Sequence, residues 1–473
     1  MTTITNGLPQ LFTEDVFLRD LREAVAAGRL LTDADAVARD AHDDAEWAPF
    51  VPPLAVVLAA STEEVAAVVG VAGRHDVRIV ARGAGTGLSG GANAVDRSIV
   101  LSLEDMRAVL RIDVDERVVD CEAGVVNDDL RAAVALEGLW YPPDPASSPW
   151  STIGGNAATN AGGICCVKYG VTRDYVLGMT VVLADGSIVR LGRRTAKGTV
   201  GYDLTALMVG SEGTLGIITE VTLKLLPLAG REERGVIGVF PSLRAAGEAV
   251  AAVSRAGILP AALELIDRTC LRAVDEWQDL GLPHDAEAML LAKVDQVGEG
   301  GAALAERMAE LFREAGGTDV RTAEEPAAVD TLFRARRLAY PALERLGPVL
   351  TEDVCVPRAK VPEMLTRIQA AAADNDVVIA NVAHAGDGNL HPMIIATPGD
   401  PAAESRAQEA FARIIDDCLA LGGTVAGEHG VGLLKLHGAH DELGPRVLEM
   451  HEAIKSALDP RRLLNPGKAF PKH

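Results

Sequence analysis

The sequence predicts an α+β protein built in two unlike parts, with a helical segment at its C-terminal end. Three observations predict it. Three glycine-rich elements alternate with short strands and capped helices before Leu226, the texture changes after Pro227 to repeated β-α-β units, and the tail from Val447 reads as helix. The 473 residues allow two or three domains, and 48% hydrophobic residues is a globular composition.

Leu18 to Leu30 carries apolar residues at helical spacing and predicts an N-terminal helix. Ser61-Thr62-Glu63-Glu64 caps a second helix that reaches Ala72 and stops at Gly73, and Val77 to Ala81 reads as a strand. Ile99 to Leu103, Val109 to Val114 and Arg117 to Cys121 read as strands, and Val126 to Glu137 as a helix. Val181 to Leu191 is a hairpin turned at Asp185-Gly186, and Gly216 to Leu226 closes this part with β structure. Farther on, Gly235 to Phe240, Leu243 to Ala256 and Ala262 to Ile266 read β, α, β; Ala288 to Asp295, Ala302 to Ala315 and Val320 to Thr322 repeat the order. That repeat predicts a ferredoxin-like antiparallel sheet with helices on one face. The divisions expected are 1–46, 47–226, 227–440 and 441–473.

Charge narrows the partners. With 45 Lys+Arg against 67 Asp+Glu, the net charge of −22 disfavours nucleic acid and anionic lipid, so an anionic substrate needs a local positive site. The six cysteines include only one close pair, Cys165-Cys166, which suits neither a disulfide framework nor a thiolate cluster. Met1 to Gln10 is polar, and no later stretch has the composition of a membrane span, so the expected location is cytoplasmic, with at most peripheral contact with the inner membrane face.

The first glycine element, Arg82-Gly83-Ala84-Gly85-Thr86-Gly87-Leu88-Ser89-Gly90-Gly91, follows a strand. Its glycines let consecutive backbone N–H groups approach an anion, which is the chemistry of a diphosphate cradle. No Lys-Ser/Thr pair closes it as in a Walker loop, and it does not open an apolar helix as in a Rossmann site. A second element runs Pro142-Pro143-Asp144-Pro145-Ala146-Ser147, then Thr152-Ile153-Gly154-Gly155-Asn156-Ala157-Ala158-Thr159-Asn160-Ala161-Gly162-Gly163. Its small residues and side-chain amides suit an aromatic ring packed against backbone. The third is Gly210-Ser211-Glu212-Gly213-Thr214-Leu215-Gly216-Ile217-Ile218.

In this order, from about Trp47 to Leu226, the three elements resemble the FAD-binding domain of the p-cresol methylhydroxylase and vanillyl-alcohol oxidase superfamily. The resemblance implies a two-subdomain FAD-binding fold. Arg82 to Gly90 would lie on the diphosphate. Pro143, Asp144 and Ser147 would flank the isoalloxazine and ribityl chain, with Thr152 to Asn156, Ala158 to Asn160, Gly162 and Gly163; Glu212, Gly213 and Ile218 would lie near the adenine. His75 precedes the first loop and no histidine lies within it, so FAD is expected to be non-covalent.

The second half carries His384-Ala385-Gly386-Asp387-Gly388-Asn389-Leu390-His391 and, downstream, Gly427-Glu428-His429-Gly430. Two imidazoles flanking a tight turn can converge on one divalent cation, and Glu428 would complete a two-histidine, one-carboxylate site for zinc, manganese or iron with open positions. Glu428 and His429 are neighbours and should divide the work, Glu428 on the metal and His429 as base. Asp387 belongs to the turn. The plainer alternative makes His384 and His391 hydrogen-bonded turn residues and Glu428 a loop acid.

With Arg336, Asp353 to Pro357 and Asn465 to Lys468, these residues resemble the C-terminal domain of FAD-linked oxidases in the D-lactate dehydrogenase, glycolate oxidase large-subunit and D-2-hydroxyglutarate dehydrogenase group. The resemblance implies a substrate/cap domain in which His384, His391 and Glu428 bind the metal, His429 is the base and Arg336 holds the substrate carboxylate, with Arg337 as its rival. Asn465 would return to the flavin. Thr351 and Met393 stand where the hydroxyglutarate enzymes have a lysine and a polar residue, so D-lactate or glycolate is the expected substrate. Two rivals remain: a glycolate oxidase subunit passing electrons to an iron-sulfur partner, and a non-catalytic flavin or metal-binding protein. A quinone or cytochrome acceptor and a homodimer are compatible with all of this.

Overall fold

The computed structural model describes residues 13–228, 232–323, 326–397 and 399–470. The expectation about Met1 to Gln10 therefore lies outside the described residues.

Two larger sheets and a two-stranded pair, Leu139–Trp140 with Leu226–Pro227, form the first part. In a four-stranded sheet, Val56–Leu58, Ser98–Ser102 and Arg78–Arg82 run parallel, with Leu30–Leu31 antiparallel at the edge. Helix Thr62–His75 lays Val65, Val68, Val69 and Ala72 on this sheet. Ser61 starts it by accepting a hydrogen bond from the Glu64 amide at 3.2 Å. It ends at Asp76, a left-handed cap with φ 55°, rather than at the expected Gly73, which stays helical. The N-terminal helix is also shifted, to Glu14–Ala24, because Phe17 and Leu21 form its buried stripe while Leu30 joins the sheet edge. Beside it, an antiparallel sheet runs in the order Val109–Asp113, Val118–Glu122, Ile217–Lys224, Val176–Val182 and Ile188–Gly192, with the last two forming the expected hairpin.

The second part is one larger antiparallel sheet in the order Asp319–Ala323, Arg234–Phe240, Ala288–Val294, Ala262–Asp267, Val378–His384, Asn389–Ile395 and Val349–Thr351, with Val354–Cys355 also paired to Asn389–Ile395. Its first four strands follow the ferredoxin-like order, and the rest extend it. The helices of the two repeated units share one face as expected, and further helices cover both faces. Helices Leu243–Arg255, Gly298–Glu314, Val361–Asn375 and Pro401–Ala420 cover one face through residues such as Val250, Phe312, Ile368 and Ile414. Arg268–Gln278 and Pro326–Glu344 cover the other with Leu271, Val274, Phe333 and Leu343. The central strands demand it: Met289-Leu290-Leu291-Ala292 is buried at successive positions, so its side chains need cover on both sides.

The expected tail helix is the second arm of Leu436–Leu458, which breaks at Gly444 (φ 69°, ψ 165°) ahead of Pro445. Beyond it, Leu464 pairs in parallel with Ile79, and Asn465 Nδ2 donates to Gly91 O at 2.9 Å and Glu212 O at 2.7 Å. The tail thus returns to the glycine-rich part.

Candidate active site

The three glycine elements meet. A Cβ on Gly83 would stand 2.3 Å from Thr152 Oγ1, which fixes how closely the first two elements approach. The Gly210 and Glu212 amides donate to Ala157 O and Ala158 O at 2.9 and 2.8 Å, joining the second and third. Helix Ile153–Thr159 starts where Thr152 Oγ1 accepts from the Gly155 amide, and it ends at Asn160 (φ 56°), whose Oδ1 accepts from the Arg173 amide. Gly154 has Ala123 where a Cβ would go, at 2.5 Å, and Thr159 Oγ1 donates to Gly155 O.

Among the described residues, no protein acceptor takes the backbone amides of Ala84, Gly85, Thr86, Gly87 or Leu88, and Asn156 Nδ2 is buried without a partner. A row of unclaimed amides beside an orphaned side-chain amide fits a diphosphate and the polar edge of a flavin. Other residues expected at the cofactor also have partners within the protein. Arg82 donates from Nη1 to His42 O at 2.7 Å and from Nη2 to Ala84 O at 3.3 Å, bracing the loop. Asp144 accepts from the Cys165 amide at 3.1 Å, and Ser147 O accepts from the Trp150 amide. Pro143 and Ile218 are buried, and Gly85, Gly90, Gly163 and Gly213 hold positive φ. The Glu212 carboxylate turns to the other part of the chain and accepts from the Val431 and Gly432 amides, both at 2.8 Å. Ser89 Oγ donates to Gly430 O at 3.0 Å.

The histidine cluster sits at this junction. His384 ends one strand and His391 lies in the next, joined by a turn in which Asp387 Oδ1 accepts from the Asn389 amide. Their Nε2 atoms lie 3.0 and 3.3 Å from Glu428 Oε1. That spacing matches neighbouring donors in a cation's first shell, roughly 3–3.4 Å for bonds of about 2.1 Å. Burial works against a charged His384, but Glu264 and Glu428 on either side raise its pKa well above the ordinary value. Burial would likewise raise Glu428, yet His384 and His391 pull it well below the usual carboxylate range. A divalent cation can take over the proton's place in this arrangement. A Cβ on Gly162, from the second glycine element, would stand 2.4 Å from Glu428 Oε2, so the cluster abuts that element.

His429 stacks on His391 with ring centroids 4.8 Å apart. Burial, chiefly, lowers its pKa to about 4, so its ring is neutral near pH 7. Asp353 holds it in place: Oδ2 accepts from the Glu428 and His429 amides at 2.9 and 2.7 Å, and its backbone carbonyl accepts from the Gly427 amide at 3.0 Å. Asp353, His391 and His429 form a second group of clustered donors, but Asp353 already carries this segment. Lys435, fully buried, ties Val425 O and Asp353 O together.

Arg336 lies behind the cluster, its Nε 2.8 Å from Glu264 Oε2, and Arg337 is exposed on the same helix. Thr351 and Met393 face each other across paired strands. Glu264 and the clamp made by Asp353 were not assigned from sequence. A lone acid in the apolar run Ala-Leu-Glu-Leu-Ile was the available signal for Glu264. A cleft of ≈ 490 Å³ lined by Leu243, Asp267, Ile368 and Asn381 contains none of these residues.

A flavin-binding oxidoreductase is the class this fold and these loops define. Residues 53–192 match the family described as FAD binding domain, and residues 231–469 match the FAD linked oxidases, C-terminal domain. The chain belongs to the FAD-linked oxidase family. It is 40% identical over 421 residues to the glycolate oxidase subunit GlcD of Bacillus subtilis, covering 89% of each chain. It is 37% identical to a D-lactate dehydrogenase of Archaeoglobus fulgidus, covering 92% of this chain and 96% of that one. A crystal structure of p-cresol methylhydroxylase with substrate bound superposes with a TM-score of 0.80 at 17% identity, over 98% of both chains, and shows the shared fold. No helix among the described residues is long and apolar enough to cross a membrane.

Proposed function

We propose that the protein oxidises a small D-2-hydroxy acid, D-lactate or glycolate, to the 2-keto acid. The observation that carries this reading is the convergence of His384, His391 and Glu428 on one point, against Gly162 of a flavin loop and beside His429. The names of the relatives, glycolate oxidase subunit and D-lactate dehydrogenase, agree with it.

His384, His391 and Glu428 would hold a zinc, manganese or iron ion, and the glycine loops FAD; when bound, the cation polarises the substrate hydroxyl and the flavin accepts the hydride. Arg336, anchored through Nε on Glu264, would present its remaining guanidinium edge to the carboxylate. His429, neutral and backed by Asp353, would take the hydroxyl proton on its ring. Thr351 and Met393 offer no cation for a second carboxylate, which favours a monocarboxylic substrate. We propose that FAD is held without a covalent tether, with His75 paired to Asp20 at 2.7 Å and packed on Phe17.

A second reading is a catalytic subunit that hands electrons to an iron-sulfur partner; the name of the Bacillus relative, a glycolate oxidase subunit, supports a partner of some kind. Here the described cysteines are all free. Anaerobic titration with D-lactate, L-lactate, glycolate and D-2-hydroxyglutarate, followed by flavin absorbance, tests the proposal: bleaching by D-lactate or glycolate is expected, and no bleaching by any of the four defeats it.

A further inference from the structure

We propose that Glu264 is a positioning residue that binds the metal ligand His384 and the substrate arginine Arg336 into one unit; this rests on the metal-site reading above. The strand register pairs Leu265 with Ala383, which sets Glu264 opposite His384 on the same face of the sheet. Arg336 comes from helix Pro326–Glu344, which covers that face. Glu264 is completely buried, and its two oxygens each lie 2.9 Å from His384 Nδ1 while Oε2 also accepts from Arg336 Nε at 2.8 Å.

A buried carboxylate without partners is costly, so Glu264 draws both groups toward itself. Its hold on His384 Nδ1 fixes the tautomer in which that nitrogen carries the proton, and it leaves Nε2 with its lone pair toward Glu428 and a cation. The same oxygen fixes the Arg336 guanidinium about Nε. One side chain therefore sets the aim of a metal ligand and of the group that would meet the substrate carboxylate. Neutralising it loosens both together, whereas a residue with only a packing role would change stability and leave both affinities alone.

The test uses the FAD-bound protein stripped of metal. Zn(II) affinity is measured by competition with a fluorescent chelator, and KM for D-lactate is measured after metal is restored, for wild type, Glu264→Gln and Glu264→Asp. Glu264→Gln is expected to weaken Zn(II) binding on the order of 10–100-fold and to raise KM, and Glu264→Asp, which keeps the charge, to recover part of both. Wild-type Zn(II) affinity and KM in Glu264→Gln overturn the positioning role. A wild type that binds no Zn(II) overturns the metal site itself, and this inference with it. If Glu264→Gln does not fold, histidine ¹⁵N NMR of the Zn(II)-loaded wild type decides: a proton on His384 Nδ1 supports the role, and one on Nε2 contradicts it.

Discussion

Gly162 and Glu428, 266 residues apart in the sequence, touch so closely that a methyl group on the first would lie 2.4 Å from the second's Oε2. This contact joins the second glycine element to a carboxylate of the histidine cluster. Glu428 is held by His384 and cannot move aside freely. Gly162→Ala should therefore cut flavin reduction by substrate about tenfold or more while changing stability by only about 1–3 kcal/mol, as overpacking does. Stopped-flow reduction and urea unfolding measure the two effects; a wild-type reduction rate would show that the contact has slack.

His429→Ala removes the proposed base and leaves the glycine loops intact. Flavin reduction by D-lactate should slow by roughly 10²–10⁴-fold, with the visible spectrum of bound FAD retained. Undiminished reduction would assign the proton to another group.

Glu212 clasps the two parts of the chain. Its burial raises the carboxyl's pKa, against the pull of hydrogen bonds from the Val431 and Gly432 amides. Glu212→Ala leaves those two amides unpaired and should lower unfolding stability by about 2–5 kcal/mol, read by urea denaturation. Unchanged stability with loss of FAD would instead support the sequence-based assignment of Glu212 to the cofactor.

Much of the site was legible because its chemistry is local in sequence. His384 and His391 flank a Gly-Asp-Gly turn, Glu428 adjoins His429, and the glycine loops announce close backbone approaches. What sequence could not show is which polar side chains also hold the fold together: Arg82 through His42 O, Glu212 through the Val431 and Gly432 amides. Glu264 was hidden because its meaning depends on strand register, since only the pairing of Leu265 with Ala383 puts it opposite His384. The second helical layer was missed for a related reason. An apolar run such as Met289 to Ala292 requires cover on both faces but does not say which segment supplies it.

Asp267, at the cleft away from the cluster, predicts a pH dependence. Burial is the main cause that raises its pKa from the usual 3.8 to about 6, outweighing hydrogen bonds from Cys270 and Asn381. The folded state thus holds this proton more tightly than the unfolded chain. Its stabilising contribution is full below about pH 3.8 and is lost as pH rises through about 6, amounting to at most about 3 kcal/mol. Asp267→Asn, which can keep the helix cap, should flatten this decline in urea midpoints between pH 4 and 8. Parallel wild-type and variant profiles would contradict it.

The proposed function rests on a cation held by His384, His391 and Glu428 that would act directly on substrate at the flavin. The most direct measurement is the rate of anaerobic flavin reduction by D-lactate in a single turnover, before chelation, after it, and after adding back Zn(II) or Mn(II). Reduction should collapse on metal removal and return with the metal while FAD stays bound throughout. Reduction at an unchanged rate in metal-free, FAD-bound protein would contradict it.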